Sequence, residues 1–240
     1  MSSIDWGQWI NLVDYTPLEL FLFTGGCFLW VIVYGIYVAQ ILKHKYVEMP
    51  FFAGAVDFGW EFTWSFLLAT NMGILLQRTY QAWFFFDLCI FGGIMVYGWK
   101  QLATPKLRPV FAPLCVVIAA GAAAATYLLY ATGYDEPIGA VSAYLAQLLI
   151  SILYVGLLLR QEDPAKFSLW AAWLRTIGTG MNTVFMNIHY PDNDFLRFIS
   201  IVAAPIDLTY CFLLWRMKRA ARRSEVSQPS VNLSTTPATS

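Results

Sequence analysis

Long apolar runs separated by short polar stretches dominate the chain, and seven of them are candidate spanning helices: 18–42, 51–73, 82–102, 110–131, 137–159, 167–187 and 195–217. A helix needs roughly 20 mainly apolar residues to cross the hydrocarbon core of a bilayer. None of the runs alternates strictly at period two, and all are too long for barrel strands. The pattern therefore predicts an all-α fold, a seven-transmembrane helical bundle. Prolines mark its joints, with Pro17, Pro50, Pro109, Pro137 and Pro191 at or just before helix starts. The bundle takes up residues 1–218. Residues 219–240 form a tail, basic at first and then rich in Ser, Thr and Pro, whose composition predicts disorder.

Composition agrees with the pattern. The chain is 58% hydrophobic and 12% charged, against about 25% charged in soluble domains, so the lipid bilayer is its first partner. Net charge is zero and the basic residues are scattered between spans, which excludes nucleic-acid binding. Cys27, Cys89, Cys115 and Cys211 all fall in apolar runs without metal-ligand spacing, and read as small buried hydrophobes. The acidic N-terminus lacks the basic region and cleavage site of a signal peptide, so the first span is expected to stay.

Lys and Arg set the orientation. Twelve of the fifteen flank one side of the bundle: Lys43, Lys45, Lys100, Lys106, Arg108, Arg160, Lys166 and the five from Arg216 to Arg223. Only Arg78 and Arg197 flank the other. The N-terminus is thus expected outside or in the lumen and the C-terminus in the cytosol. This is a multi-pass integral membrane protein of the endoplasmic reticulum or of a bacterial inner membrane, since both read alike.

Four carboxyls lie within the spans: Asp57 and Glu61 in the second, Asp87 in the third and Asp207 in the seventh. A charge at mid-helix costs about 2.5–3.5 kcal/mol on insertion, so each needs a reason. At 1.5 Å per residue, Glu61 and Asp207 each lie roughly 15 Å from the cytosolic end of their helix, at one level. Asp57 precedes Glu61 by one turn on the same face. Gln147 and Arg175 come out near the midplane, and Asp87 nearer the outer surface. One reading makes these groups structural glue, with Arg175 paired to an acid and amides satisfying the rest. The other starts from the excess of acids over the one intramembrane cation. A carboxyl buried without compensation tends to stay protonated, which makes it a proton donor. Trp60, Trp64 and Tyr210 are too deep for an interfacial belt and stand close in sequence to the acids. Aromatic faces stabilise a desolvated cation by about 0.5–2 kcal/mol each. An acid, aromatic walls and no water suit a carbocation cascade on an isoprenoid chain.

DFGWEFTW (57–64) and PIDLTY (205–210) resemble the signature of the small seven-helix membrane terpene cyclases of meroterpenoid and indole-terpenoid pathways, the paspaline-type cyclase family. The resemblance extends over roughly residues 10–218 and is specific at WEF and DLTY. It implies that Glu61 and Asp207 are the catalytic acidic pair, with Trp60, Trp64, Tyr210, Asp57, Gln147 and Arg175 about the substrate. It also implies a reaction without metal or other cofactor. The proton would go to a terminal epoxide or olefin of a farnesyl or geranylgeranyl chain carried on an aromatic or indole-like head. Asp57 stands where many fungal members have a neutral polar residue, so it either assists the donor or alters substrate preference. Neither soluble cyclase signature is present. No DDxxD offers ligands for Mg²⁺, and Asp192-Asn193-Asp194, the nearest approach to DxDD, reads as a turn beside a loop residue, His189.

Three other functions compete. A proton-coupled transporter or channel would use Glu61, Asp207 and Arg175 as a relay, but no internal repeat is evident, and only Gly178 and Gly180 suggest a loosened span. A retinal-type protein needs an intramembrane lysine, and every lysine here is at a helix end or in a loop. A purely structural subunit would use small-residue tracts such as AAGAAAAT (119–126) for helix packing.

Overall fold

A computed structural model describes residues 6–102, 104–161 and 163–227. Among them are eight α-helices and no strand: α1 (Trp6–Trp9), α2 (Pro17–His44), α3 (Phe51–Phe62), α4 (Ile74–Tyr97), α5 (Arg108–Ala131), α6 (Ala140–Arg160), α7 (Leu169–His189) and α8 (Asp194–Ser227). Five are long and apolar enough to cross a membrane: α2, α4 with the turn that follows it, α5, α6 and α8. The two other expected spans fall short by length or composition. α3 has 12 residues and the π-turn after it 5. The 21 residues of α7 include Arg175, Thr179, Asn182 and Asn187. In the other direction, α8 runs on to Ser227 rather than ending at 217, because its Met, Lys, Ala and Arg are good helix formers whatever their polarity. The rest of the expected tail, 228–240, lies outside the described residues, as do residues 1–5.

Local chemistry sets the helix ends. Thr16 caps α2: its hydroxyl accepts from the Glu19 amide, the Glu19 carboxylate accepts from the Thr16 amide at 2.7 Å, and Pro17 fills the first helical position. Lys45 closes α2 in the left-handed conformation (φ 50°). The Gln101 amide then ties the connection to α4, donating to the Val47 and Met49 carbonyls and accepting from the Phe51 amide at the start of α3. Glu48 is buried in this connection, where one carboxyl oxygen accepts from the Ser168 amide at the head of α7. Burial pushes its carboxyl up to about 8, against the lowering effects of the Ser168 amide and of Arg175.

α3 ends early, in the π-turn Thr63–Leu67, and Leu68 is already extended. Carbonyls at such an end need donors. Gln77 supplies them to Trp64 (2.7 Å), Ser65 and Leu68, and Gln81 adds one to Ser65. These glutamines belong to α4, which begins at Ile74 rather than at 82. Around this core α3 packs against α4, α5 and α6, α2 against α4 and α7, and α8 against α6 and α7. Glycines bring the backbones together. A Cβ on Gly178 of α7 would stand 2.9 Å from the Gly26 carbonyl of α2, so Gly178 marks a close crossing rather than a loosened span. Gly59 of α3 lies against Ala119, Ala122 and Ala123, which places the alanine tract at a helix contact within the bundle.

Candidate active site

A cavity of about 110 Å³ is enclosed by residues of α2, α3, α4, α6 and α7. Each helix contributes a face at one-turn spacing: Trp30 and Tyr34 from α2, Asp57, Trp60 and Glu61 from α3, Tyr80 and Trp83 from α4, Tyr144 and Gln147 from α6. The walls hold most of their polar ends. Trp60 Nε1 donates to Ser142 Oγ (2.7 Å), Trp30 Nε1 to Thr179 Oγ1 (3.2 Å) and Tyr80 Oη to the Ile138 carbonyl (3.0 Å). Ile138, also in the wall, is seated by Asp135, whose carboxylate accepts the Val141 and Ser142 amides at the start of α6. The lining is thus aromatic, with most of its donors engaged; Trp83 Nε1 has no partner among the described residues.

The acids of α3 meet a third acid there. Asp57, Glu61 and Asp87 are all buried and bring carboxyl oxygens within 4.8 Å of one another. Tyr34 bridges two of them, with its hydroxyl 2.8 Å from Asp57 Oδ2 and 2.8 Å from Glu61 Oε1. A phenol has one hydrogen to donate. It can serve only one of those oxygens as donor, so the second contact is a hydrogen bond only where the carboxyl is protonated and donates to the phenol. Glu61 Oε2 and both Asp87 oxygens have no hydrogen-bond partner among the described residues. By donor type the three carboxyls also suit a hard divalent cation. They equally suit one or more shared protons, and the phenol bridge fits the protons.

Asp207 sits elsewhere. It is fully buried against Arg175, Oδ1 to Nη2 at 2.9 Å, and Arg175 is itself 0% exposed. The guanidinium lies over the rings of Tyr154 (4.0 Å) and Tyr210 (5.1 Å). Asp207 Oδ2 accepts from Gln147 Nε2 at 3.1 Å, and Gln147 lines the cavity. Asp207 therefore reaches the cavity through an amide, and Arg175 and Tyr210 back it from behind. Among the described residues it makes no hydrogen bond to Glu61.

Of the residues singled out from sequence, Asp57, Trp60, Glu61 and Gln147 line the cavity together. Trp64 lies one layer away, fully buried, 6.4 Å from the Trp60 ring and against Gly139, whose lack of a Cβ leaves room for it. Asp87 corrects the depth estimate. With α4 starting at Ile74 it falls at mid-helix, beside Asp57 and Glu61 rather than near the outer surface. Tyr34 was not singled out, because a tyrosine in an apolar run carries no charge to question. His189 and Cys89 also differ from expectation. His189 ends α7, 2.9 Å from Glu19 and stacked on Tyr15, and Cys89 is exposed on the surface of α4.

Residues 12–220 match the family model of the Pyr4-like transmembrane terpene cyclases. No curated protein and no solved structure matches the chain. The family match runs from before α2 into α8 and so takes in the whole cavity and both acidic motifs. It does not favour the transporter alternative. The chain belongs to the Pyr4-like transmembrane terpene cyclases.

Proposed function

We propose that this membrane terpene cyclase starts its reaction with a proton held by the Asp57–Glu61–Asp87 cluster and delivered from Glu61, the acid of the WEF motif, which lines the cavity beside Asp57. The substrate is a prenyl chain, farnesyl or geranylgeranyl, on an aromatic or indole-type head. The proton goes to the terminal epoxide oxygen, or to the terminal olefin. The C–O bond opens, or the π bond is consumed, and the cation forms beside Trp60, Trp30 and Tyr34. Successive double bonds attack and form ring C–C bonds. The last cation loses a proton to the cluster carboxylate, so the acid is restored and the product is an isomer of the substrate. Asp207 acts through others: held by Arg175, it orients Gln147 at the cavity wall.

One observation carries the reading: three buried carboxyls lie within 4.8 Å of one another, and two of them, Asp57 and Glu61, are bridged by a phenol that has a single hydrogen to give. The direct experiment incubates membranes containing the protein with a geranylgeranylated or farnesylated phenol, with and without a terminal epoxide, in the presence of a chelator. A product of unchanged mass and fewer double bonds is expected. An unaltered substrate, or a reaction that the chelator abolishes, contradicts the proposal. We place seven helices across the bilayer, with α3 and its π-turn and α7 as the two that length and composition alone do not select. The N-terminus is outside and the C-terminus in the cytosol, as the Lys and Arg asymmetry directs. Thiol labelling of cysteines introduced at Ser3 and Ser230 should find them on opposite sides, and finding both on one side removes a crossing.

A further inference from the structure

The cavity that holds the acids is too small for the substrate. Pockets that hold small organic molecules run to about 300–1,000 Å³, and this one is about 110 Å³. A second cavity, about 440 Å³, lies against its outer side between α2 and α4 and under the Trp9–Ile10 end of α1. Phe23 and Cys27 belong to the lining of both, and each is almost wholly buried between them. Apart from Thr24 and Thr79, the second lining is apolar throughout. Its floor is buried and its rim, at Phe21, Phe28 and Leu75, is exposed on the apolar face of helices long enough to span.

Building on the cyclase reading above, we propose that this outer cavity is the binding site for the head-proximal part of the prenylated substrate, which enters sideways from the membrane between α2 and α4. The reacting end of the chain passes Phe23 and Cys27 to reach Glu61, and the aromatic head stays in the outer cavity. Three features select this occupant. The shared wall of Phe23 and Cys27 sets the outer cavity directly against the reaction chamber. Its volume falls in the range of a small-molecule pocket. Its apolar lining suits a substrate that partitions into lipid and carries its reactive group at the far tip of the chain.

The test uses the full-length protein in native membranes and a geranylgeranylated phenol bearing a photoreactive diazirine on the ring. Crosslinked peptides are expected from the stretches 20–31 and 72–79, and to disappear in Thr24→Trp and Leu75→Trp, which fill the cavity from opposite walls. In turnover, both variants should raise KM about tenfold or more while kcat changes little, the pattern of lost binding rather than lost chemistry. Thermal unfolding, with Thr24→Val as the mild control, identifies a variant that has merely failed to fold, and the wild-type crosslink map decides by itself in that case. Adducts confined to other helices overturn the proposal. So do Trp variants that fold and keep KM within about twofold. Labelling of the same stretches by a diazirine phospholipid that excess prenylated phenol does not displace also overturns it, and makes the cavity a lipid site. The map is read without turnover, so a wild-type protein that binds the phenol here but fails to cyclise it would count against the proton chemistry and not against this site.

Discussion

Glu61→Gln and Asp207→Asn remove one acid each and should fail in different ways. At Glu61 the amide keeps the size and can still hydrogen-bond the Tyr34 hydroxyl, which is 2.8 Å from Oε1. No cation depends on Glu61, so the fold should lose little. The acidic proton is gone, and a positioned acid contributes about 10²–10⁴-fold to rate, or about 3–5 kcal/mol of barrier. At Asp207 the amide leaves the Arg175 guanidinium, 0% exposed, without its counter-charge. Breaking one partner from a buried ion pair costs about 3–5 kcal/mol. The Tyr154 and Tyr210 rings return only part of that, about 0.5–2 kcal/mol each. The assay is turnover of the epoxide substrate, normalised to folded protein, with thermal unfolding run in parallel. Glu61→Gln should be nearly inactive at close to wild-type stability. Asp207→Asn should unfold roughly 10 °C earlier, with activity lost mainly in step with folded protein. A Glu61→Gln enzyme that keeps more than about a tenth of its turnover is outside the range of a lost acid and refutes the assignment. An Asp207→Asn enzyme that is as stable as wild type yet inactive would return the donor role to Asp207.

Three other changes probe the scaffold of this chemistry. Tyr34→Phe deletes the bridging hydroxyl and leaves two buried carboxyls short of a partner, a loss of about 1–3 kcal/mol. Turnover should fall roughly 5- to 150-fold, with its pH profile displaced, and an unmoved profile would show the phenol to be filler. Glu48, in the α2–α3 connection, titrates at about 8 in the fold against 4.5 for a free glutamate, chiefly through burial. Between those values the unfolded chain has released the proton that the folded chain still holds, so stability should decline as pH rises through that window and level off above it. Glu48→Gln should flatten the decline and be the more stable protein at pH 8, as read by unfolding midpoints across pH. On α7, Gly178→Ala drives a methyl to 2.9 Å from the Gly26 carbonyl and should cost about 1–3 kcal/mol. Gly180→Ala meets nothing within 4 Å and should gain up to about 1 kcal/mol of helix propensity; equal midpoints for the two would remove the close α2–α7 crossing.

Hydropathy located the helices better than their ends, and the misplaced ends decided what was missed at the site. The second apolar run continues past Leu67, but the backbone leaves the helix there through a π-turn, which no hydropathy average registers. The next run appeared to begin at 82 because Gln77, Arg78, Thr79 and Gln81 are polar. Gln77 and Gln81 are polar because the carbonyls at the end of α3 need donors. That eight-residue error put Asp87 near the outer surface instead of beside Glu61. The i, i+4 pairing of Asp57 and Glu61, the wall position of Trp60 and the packing use of the alanine tract were all legible, since each follows from spacing along one helix. The pairing of Arg175 with an acid was legible too, but that the acid is Asp207 was not. Depth along an axis can be counted from sequence, but rotation about that axis depends on which helices pack against it, and α8 packs against α6 and α7.

The proportions of the charges give the site its logic. Four carboxyls and one guanidinium are buried in the middle of the helices about the cavity, and they divide unevenly. Asp207 takes Arg175, and Gln147 donates to its other oxygen. Asp57 and Glu61 share the Tyr34 hydroxyl, Asp87 lies beside them, and no Lys, Arg or His forms an ion pair with the three among the described residues. Like charges this close repel strongly in a dry interior, and a shared proton relieves that repulsion. The three differ in what they can do with one. Asp87 is buried and is not part of the cavity wall, so its place is to confine charge within the group. Asp57 and Glu61 both line the cavity, and each has one oxygen on the phenol. On the proposed mechanism the proton leaves from Glu61, the acid of the WEF motif, and the other two acids are the reason it has a proton to give.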